Sequence, residues 1–258
     1  MSNPFGDADM AAGYAASRPP VHPRVIALLS EWIEARPVRV AVDVGCGAGL
    51  STRPLLKLAR TCIGFDPAET MVHAARRVVP QATFLAAGGE AMPLARGSVD
   101  LLAAAGSLNY ARDLDAVWDE ALRVLTPDGI FAIYDFSAAR SFADRDDEAL
   151  DVWFDAFVQR YPKPVSQAIP LSPAILADRA DGFDVTRGEA FELALELTPE
   201  FYVAYMLTET SVQQATRAGT PLEAVRDWCT TTLVPLFGGR PRSVLFRGYL
   251  ATLTPRAS

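Results

Sequence analysis

Val38-Arg39-Val40-Ala41-Val42-Asp43-Val44-Gly45-Cys46-Gly47-Ala48-Gly49 is the stretch that decides the fold of this chain. Its first seven residues form a β-branched, largely apolar run that reads as a strand, and the glycines after it make a turn with little side chain on it. Ser51 can then cap a helix through about Ala59. A strand that ends in a glycine turn lets bare backbone approach a ligand. Asp43, two residues before Gly45, is expected to point from the strand's C-terminal end into the crevice, where a positively charged amino group could sit.

The spacing of the turn separates two cofactor classes. Dinucleotide binders want G-x-G-x-x-G, whose third small residue packs helix against strand, but this chain has Leu50 there. S-adenosylmethionine carries an amino group for Asp43 to meet, and NAD does not. A second strand, Thr61–Phe65, leads into Asp66-Pro67-Ala68-Glu69, which reads as an N-cap, a first-turn proline and a capping-box Glu for a helix to about Val78. Asp66 could cap that helix, or accept hydrogen bonds from two ribose hydroxyls. The roles are compatible, since an ionised carboxylate has about four acceptor sites. Phe65 and Pro67 could lie against an adenine, and Phe65 could equally be core.

Working outward, Val25, Leu28, Leu29, Trp32 and Ile33 predict a helix over about 24–35, stopped by Pro37. Further strands are expected at Ala82–Ala86, Val99–Ala105 and Gly129–Phe136, the last two separated by a helix bearing Leu114, Val117, Trp118, Ala121, Leu122 and Leu125. Such alternation implies parallel βαβ units. Beyond 138 the pattern predicts a helix over 142–161, a Pro-rich connector from Pro162 to Pro173, a long strand over Phe183–Leu197, helices over 199–218 and 221–237, and a last strand over Ser243–Leu253. One domain spanning 1–258 is expected, with an opening segment over 1–23, a cofactor-binding core over 24–137, and a sheet edge with helical cover over 138–258.

Composition limits the partners. The net charge is −7 and no basic run appears, which argues against nucleic acid. Cys46, Cys62 and Cys229 are scattered and odd in number, unlike a disulfide framework or a metal cluster, so a reducing cytoplasm is the expected home. Residues Met1 to Arg18 lack an apolar signal region, and no apolar stretch reaches the ~20 residues that a membrane span needs. A soluble monomer or homodimer is expected.

The order of Val42–Gly49, Gly64-Phe65-Asp66-Pro67, Phe84 to Pro93, and Leu122-Arg123-Val124-Leu125-Thr126-Pro127-Asp128-Gly129 resembles the motif set of class I S-adenosylmethionine-dependent methyltransferases. Tyr14-Ala15-Ala16-Ser17-Arg18-Pro19-Pro20 is similar to the opening segment of the trans-aconitate methyltransferase-like (methyltransferase type 11) subgroup. The resemblance implies an α/β fold: a Rossmann-like seven-stranded mixed sheet of order 3-2-1-4-5-7-6, flanked by helices, with S-adenosyl-L-methionine over the carboxyl ends of strands one to three. It places Tyr14 and Arg18 near the cofactor's carboxylate, Asp43, Gly45, Gly47 and Gly49 around the methionine moiety, and Asp66 at the ribose. Cys46, Pro67 and Met71 join the candidate cofactor residues. Where many relatives carry an acid soon after the third strand, this chain reads Ala86-Ala87-Gly88-Gly89-Glu90, so Gly89, Glu90 and backbone groups are candidates for the adenine.

Methyl transfer from a sulfonium is an in-line displacement that needs alignment at about 3 Å and exclusion of water, with neither metal nor covalent intermediate required. The loop Gly106-Ser107-Leu108-Asn109-Tyr110 faces the methyl group in this fold, which makes Ser107 and Asn109 candidates for positioning, Ser107 also for cofactor contact. The loop lacks the Pro-Pro-Tyr or Pro-Pro-Phe of amino-methylating DNA and glutamine enzymes. Of the two histidines, His22 is a candidate base and His73 reads as solvated or packed. Trp153, Phe154, Phe157, Phe201, Tyr202, Tyr205, Met206 and Trp228 read as core, with a pocket roof as the other reading. Arg53 and Arg140 are surface charges or partners of an acidic substrate. The expected function is methyl transfer to oxygen, nitrogen or carbon of a small molecule. The alternatives are a non-catalytic binder of S-adenosylmethionine or its demethylated product, and an NAD-dependent oxidoreductase.

Overall fold

Seven strands form one sheet of order β3-β2-β1-β4-β5-β7-β6. The structure is a computed structural model that describes residues 17–33, 36–145, 148–163 and 168–256, so Tyr14 lies outside the described residues. Along the chain come α1 (His22–Trp32), β1 (Val38–Val44), α2 (Thr52–Leu55), β2 (Ala59–Asp66), α3 (Glu69–Val78), β3 (Thr83–Ala86) and β4 (Val99–Ala105). They are followed by α4 (Leu114–Val124), β5 (Leu125–Phe142), α5 (Ala149–Arg160), α6 (Pro173–Arg179), β6 (Phe183–Leu197), α7 (Pro199–Met206), α8 (Thr210–Arg217), α9 (Leu222–Phe237) and β7 (Arg242–Pro255). β1 pairs in parallel with β2 and β4, and β4 with β5, whereas β7 runs antiparallel between β5 and β6.

Burial on both faces explains why the central strands read as continuous apolar runs. On one face Ala41, Leu101, Ala103, Tyr134 and Phe246 pack with Leu29 of α1, Trp153 and Phe157 of α5, Tyr202 of α7 and Leu233 of α9. On the other, Val42, Val44, Leu102, Ala104, Phe131 and Ile133 pack with Trp118 of α4 and Leu176 of α6. Trp153 stacks on Phe157 and Trp228, and its indole N–H donates to Thr232 Oγ1 at 2.8 Å, so this part of the aromatic set is core. Among the described residues no helix is long and apolar enough to cross a membrane.

Several local expectations change. α2 ends at Leu55, because β2 already begins at Ala59; Ser51 makes no side-chain cap and turns its hydroxyl to Asp43. α3 is capped at Ala68 and begins at Glu69, with no side-chain capping bond, because the Asp66 carboxylate is drawn back to main-chain N–H groups on both sides of it. β5 extends to Phe142 through its pairing with β7, which delays α5 to Ala149. The expected 199–218 helix is two helices, α7 and α8. The unexpected α6 has Ser172 as its cap, accepting from Ile175 N at 3.3 Å, and Pro173 in its first turn.

Candidate functional site

The glycine turn stands at the carboxyl end of β1, where ligands bind in open α/β sheets. Gly45, Gly47 and Gly49 all have positive φ, 70°, 51° and 84°, a region that L side chains avoid. Their roles differ. A Cβ on Gly45 would lie 2.3 Å from Ser107 Cβ, and one on Gly49 would lie 3.2 Å from Phe84 and Val79, so these two glycines let the β4 loop and the α3–β3 layer close in. Among the described residues a Cβ on Gly47 would meet nothing within 4 Å, so there this residue presents bare backbone.

The two carboxylates frame the turn in different ways. Asp43 was expected to face the crevice, but it is fully buried beneath the turn, its Oδ2 accepting from Ser51 Oγ at 2.7 Å and Thr52 Oγ1 at 2.6 Å. Its other oxygen, Oδ1, is buried and has no hydrogen-bond partner among the described residues. Burial pushes the Asp43 carboxyl up to about 6, against the opposing hydrogen bonds of Thr52 and Ser51, with the Asp66 charge adding to the rise. Asp66 accepts from Gly47 N at 3.0 Å through Oδ2 and from Ala68 N at 2.8 Å through Oδ1, so it pins the turn. Burial also raises its pKa, and its remaining lone pairs are available to hydroxyls.

The other candidates divide. Cys46 and Met71 are buried, Cys46 against Val72, Ala75 and Phe84, Met71 against Ala48, Ala68 and Ala74; both support the turn from beneath. Burial and then the charges of Asp43 and Asp66 raise the Cys46 thiol well above its usual range, which keeps it protonated. Phe65 is core and Pro67 is exposed beside Asp66. A Cβ on Gly89 would lie 2.9 Å from Val44 Cγ1, a close approach that brings the loop after β3 over β1. Glu90 Oε1 accepts from Arg112 N at 3.0 Å and ties that loop to the one preceding α4.

Ser107 donates to Val44 O at 2.5 Å, bridging β1 and the β4 loop, and Asn109 Nδ2 donates to Asp135 Oδ2 at 3.0 Å. His22 shares a hydrogen bond with the Tyr134 hydroxyl, Nδ1 to O 2.8 Å, and meets Phe136 edge-on. Burial first, and the positive charge of Arg18 second, lower His22 to about 4, which leaves it neutral and a weak proton acceptor near pH 7. Arg18 lies over the Tyr205 ring and 4.0 Å from Glu209, linking the opening segment to the cover helices. His73 is exposed, with Nδ1 2.8 Å from Glu69 O. Arg140 pairs with Asp151 and Asp155 and Arg53 donates to Val78 O, so each has protein partners. Sequence reading missed Asp135 and Tyr249, which share a register position on β5 and β7. An acid within the apolar run Ile130–Phe136, placed as Asp43 is in β1, was the available signal. Grooves around Val38, Arg39, Lys57 and Arg60 lie at the opposite ends of the strands, away from the glycine turn.

This geometry fits a sulfonium nucleoside. Among the described residues the turn has an open backbone face at Gly47, an unsatisfied carboxylate oxygen beneath it, which is costly to leave unpaired, and a second carboxylate at its edge. Comparison with known proteins agrees. Residues 42–133 match the family described as a methyltransferase domain. A malonyl-[acyl-carrier protein] O-methyltransferase of Geobacter sulfurreducens is 35% identical over 136 residues, covering 49% of this chain and 48% of the relative. The biotin biosynthesis bifunctional protein BioHC of Saccharophagus degradans is 34% identical over 105 residues, 39% of this chain and 19% of the relative. The chain spans less than half the length of each of these two curated relatives. A solved structure from Anaeromyxobacter dehalogenans, assigned as a type II methyltransferase, shares the fold with a TM-score of 0.66 and 22% identity, over 87% of this chain and 94% of that one. The strand order and the motif-bearing turn are those expected of a class I methyltransferase, and residues 42–133 are similar to a methyltransferase domain.

Proposed function

We propose that this chain transfers a methyl group from S-adenosylmethionine to a small-molecule acceptor. The observation that carries the reading is the glycine turn, open at Gly47, closed at Gly45 by Ser107 and pinned by Asp66. When bound, the cofactor supplies a methyl group whose bond to sulfur is already weakened by the positive charge.

The protein's own residues hold and orient. Gly45, Gly47 and Gly49 give the methionine end a backbone floor, and the Asp43 carboxylate beneath them supplies negative charge and an acceptor oxygen for an ammonium above. Arg18 serves the carboxylate of the same end. Asp66 takes the ribose hydroxyls, and Gly89, Glu90 and Pro67 border the base. Ser107 sets the spacing between the glycine turn and the β4 loop, and the Arg18–Glu209 contact ties the opening segment to the start of α8.

Calorimetry with S-adenosylhomocysteine, S-adenosylmethionine and NAD tests the reading. Binding of the first two without the third is expected, followed by release of S-adenosylhomocysteine on a panel of alcohols, phenols, amines and acids. Tight NAD binding with no affinity for either sulfur compound would falsify it.

A further inference from the structure

Asp135 has no part in the cofactor cradle, yet it is built into its edge. The pairing of β4 with β5 ends at Ala105 opposite Tyr134, and Gly106 N donates to Tyr134 O at 2.8 Å. Asp135 is therefore the first residue of β5 beyond the end of β4, in the notch outside the carboxyl ends of the strands. The notch is shaped around its carboxylate. Gly106 has φ +61°, and a Cβ there would lie 2.7 Å from Asp135 Oδ1, so only glycine leaves this space clear. Asn109 donates to Oδ2 at 3.0 Å and Phe136 N to Oδ1 at 2.8 Å, which fixes the group and leaves acceptor capacity free.

Across the sheet, Tyr249 is in register with Asp135, and its buried hydroxyl has no hydrogen-bond partner among the described residues. Among the described residues the groups around Asp135 are thus a neutral amide from the β4 loop, a main-chain N–H of β5 and the phenol of β7, with no cation among them. Burial raises the Asp135 carboxyl above its usual range, and burial together with the Asp135 charge raises Tyr249. An uncompensated carboxylate next to the reaction centre attracts a proton donor and repels a second carboxylate.

We infer that Asp135, held by Asn109 and flanked by Tyr249, receives the acceptor: a neutral alcohol, phenol or amine, whose proton it takes. The inference rests on the methyl-transfer reading above and names its acceptor class. The acceptor's O–H or N–H bond breaks, its proton passes to a carboxylate oxygen of Asp135, and its electron pair stays on the atom that gains the methyl group. The pair of the broken carbon–sulfur bond leaves with the sulfur.

The test uses the full chain saturated with S-adenosylhomocysteine and, as probes, catechol, phenol, aniline and benzoate. Calorimetry should show binding of at least one neutral donor and none of benzoate, with the binding weakened in Asp135→Asn. In turnover with S-adenosylmethionine, Asp135→Asn should lower kcat at pH 7 by roughly 100-fold, while affinity for S-adenosylhomocysteine stays within about two-fold. Asp135→Glu should restore part of the rate. Asn109→Ala, which keeps the carboxylate, should shift the acid limb of the rate profile even if Asp135→Asn fails to fold. Benzoate bound or methylated in preference, neutral donors neither bound nor methylated, or Asp135→Asn with wild-type turnover each overturn the inference while leaving the cofactor reading standing. A wild-type protein without affinity for S-adenosylhomocysteine overturns that reading, and this inference with it.

Discussion

Gly47 separates packing from binding more cleanly than any other residue in the turn. Its φ of 51° makes any side chain strained, but among the described residues a Cβ would touch nothing within 4 Å. Gly47→Ala should therefore lose only ~1–2 kcal/mol of stability, the cost of the left-handed conformation, while blocking the face on which the ligand lies. Thermal unfolding together with calorimetry checks this: a variant that keeps wild-type affinity for S-adenosylhomocysteine would remove Gly47 from the site. Gly45→Ala is different in kind, since its Cβ would collide with Ser107 and force the β4 loop to move. Sequence spacing marked all three glycines alike. The division of labour among them was not legible there, because it depends on which distant segments, Ser107 or Phe84, the fold brings against each.

At the scale of elements, the start of α7 was readable because side chain and backbone act there within one turn. Thr198 accepts from Phe201 N at 3.1 Å, with Pro199 next to it, and so starts α7, the helix that carries Tyr202 and Tyr205 toward the opening segment. Thr198→Ala should cost ~1 kcal/mol in urea unfolding, the usual worth of a lost cap. An unchanged midpoint would mean that tertiary packing alone holds α7 in place. Asp66 shows the limit of the same logic. Asp-Pro-x-Glu has the pattern of a capping box, but the carboxylate is pulled across to Gly47 N by the proximity of β1 and β2, and the helix starts at Glu69. A contact between residues 19 apart overrides one between neighbours.

For the whole molecule, two buried groups give opposite pH dependences. Asp43 is raised from 3.8 to about 6, so the folded state holds a proton that the unfolded chain releases; this contribution is complete below 3.8 and is lost as pH rises through 6. His22 is lowered from 6.5 to about 4, so its contribution is complete above 6.5 and is lost as pH falls through 4. Between about 4 and 6.5 the two slopes oppose each other. Asp43→Asn removes the first, so the variant should be on the order of 2–3 kcal/mol more stable than wild type at pH 8 and should lose stability below pH 6.5. Urea unfolding from pH 4.5 to 8 measures both; a variant no more stable at pH 8 would mean that Asp43 is not strained by burial. The same substitution should weaken S-adenosylhomocysteine binding, the expected cost of exchanging a functional charge for stability.

The linear order of residues was enough to establish the strand–glycine–helix unit, the alternation that makes the inner sheet parallel, the strand order implied by the family resemblance, and the positions of Asp43, Gly47 and Asp66 along the chain. The strand–glycine–helix unit and the alternation depend on short-range periodicity and on backbone conformations that glycine alone adopts freely, whereas the strand order came from the resemblance alone. Which way Asp43 faces, what each glycine makes room for, why His22 is neutral and why Asp135 stands in a notch beside Asn109 and Tyr249 were settled only by tertiary structure. These depend on burial and on contacts between segments 26 or more residues apart, such as Asn109 with Asp135 and His22 with Tyr134, and desolvation is a property of the packed interior rather than of any local stretch of chain.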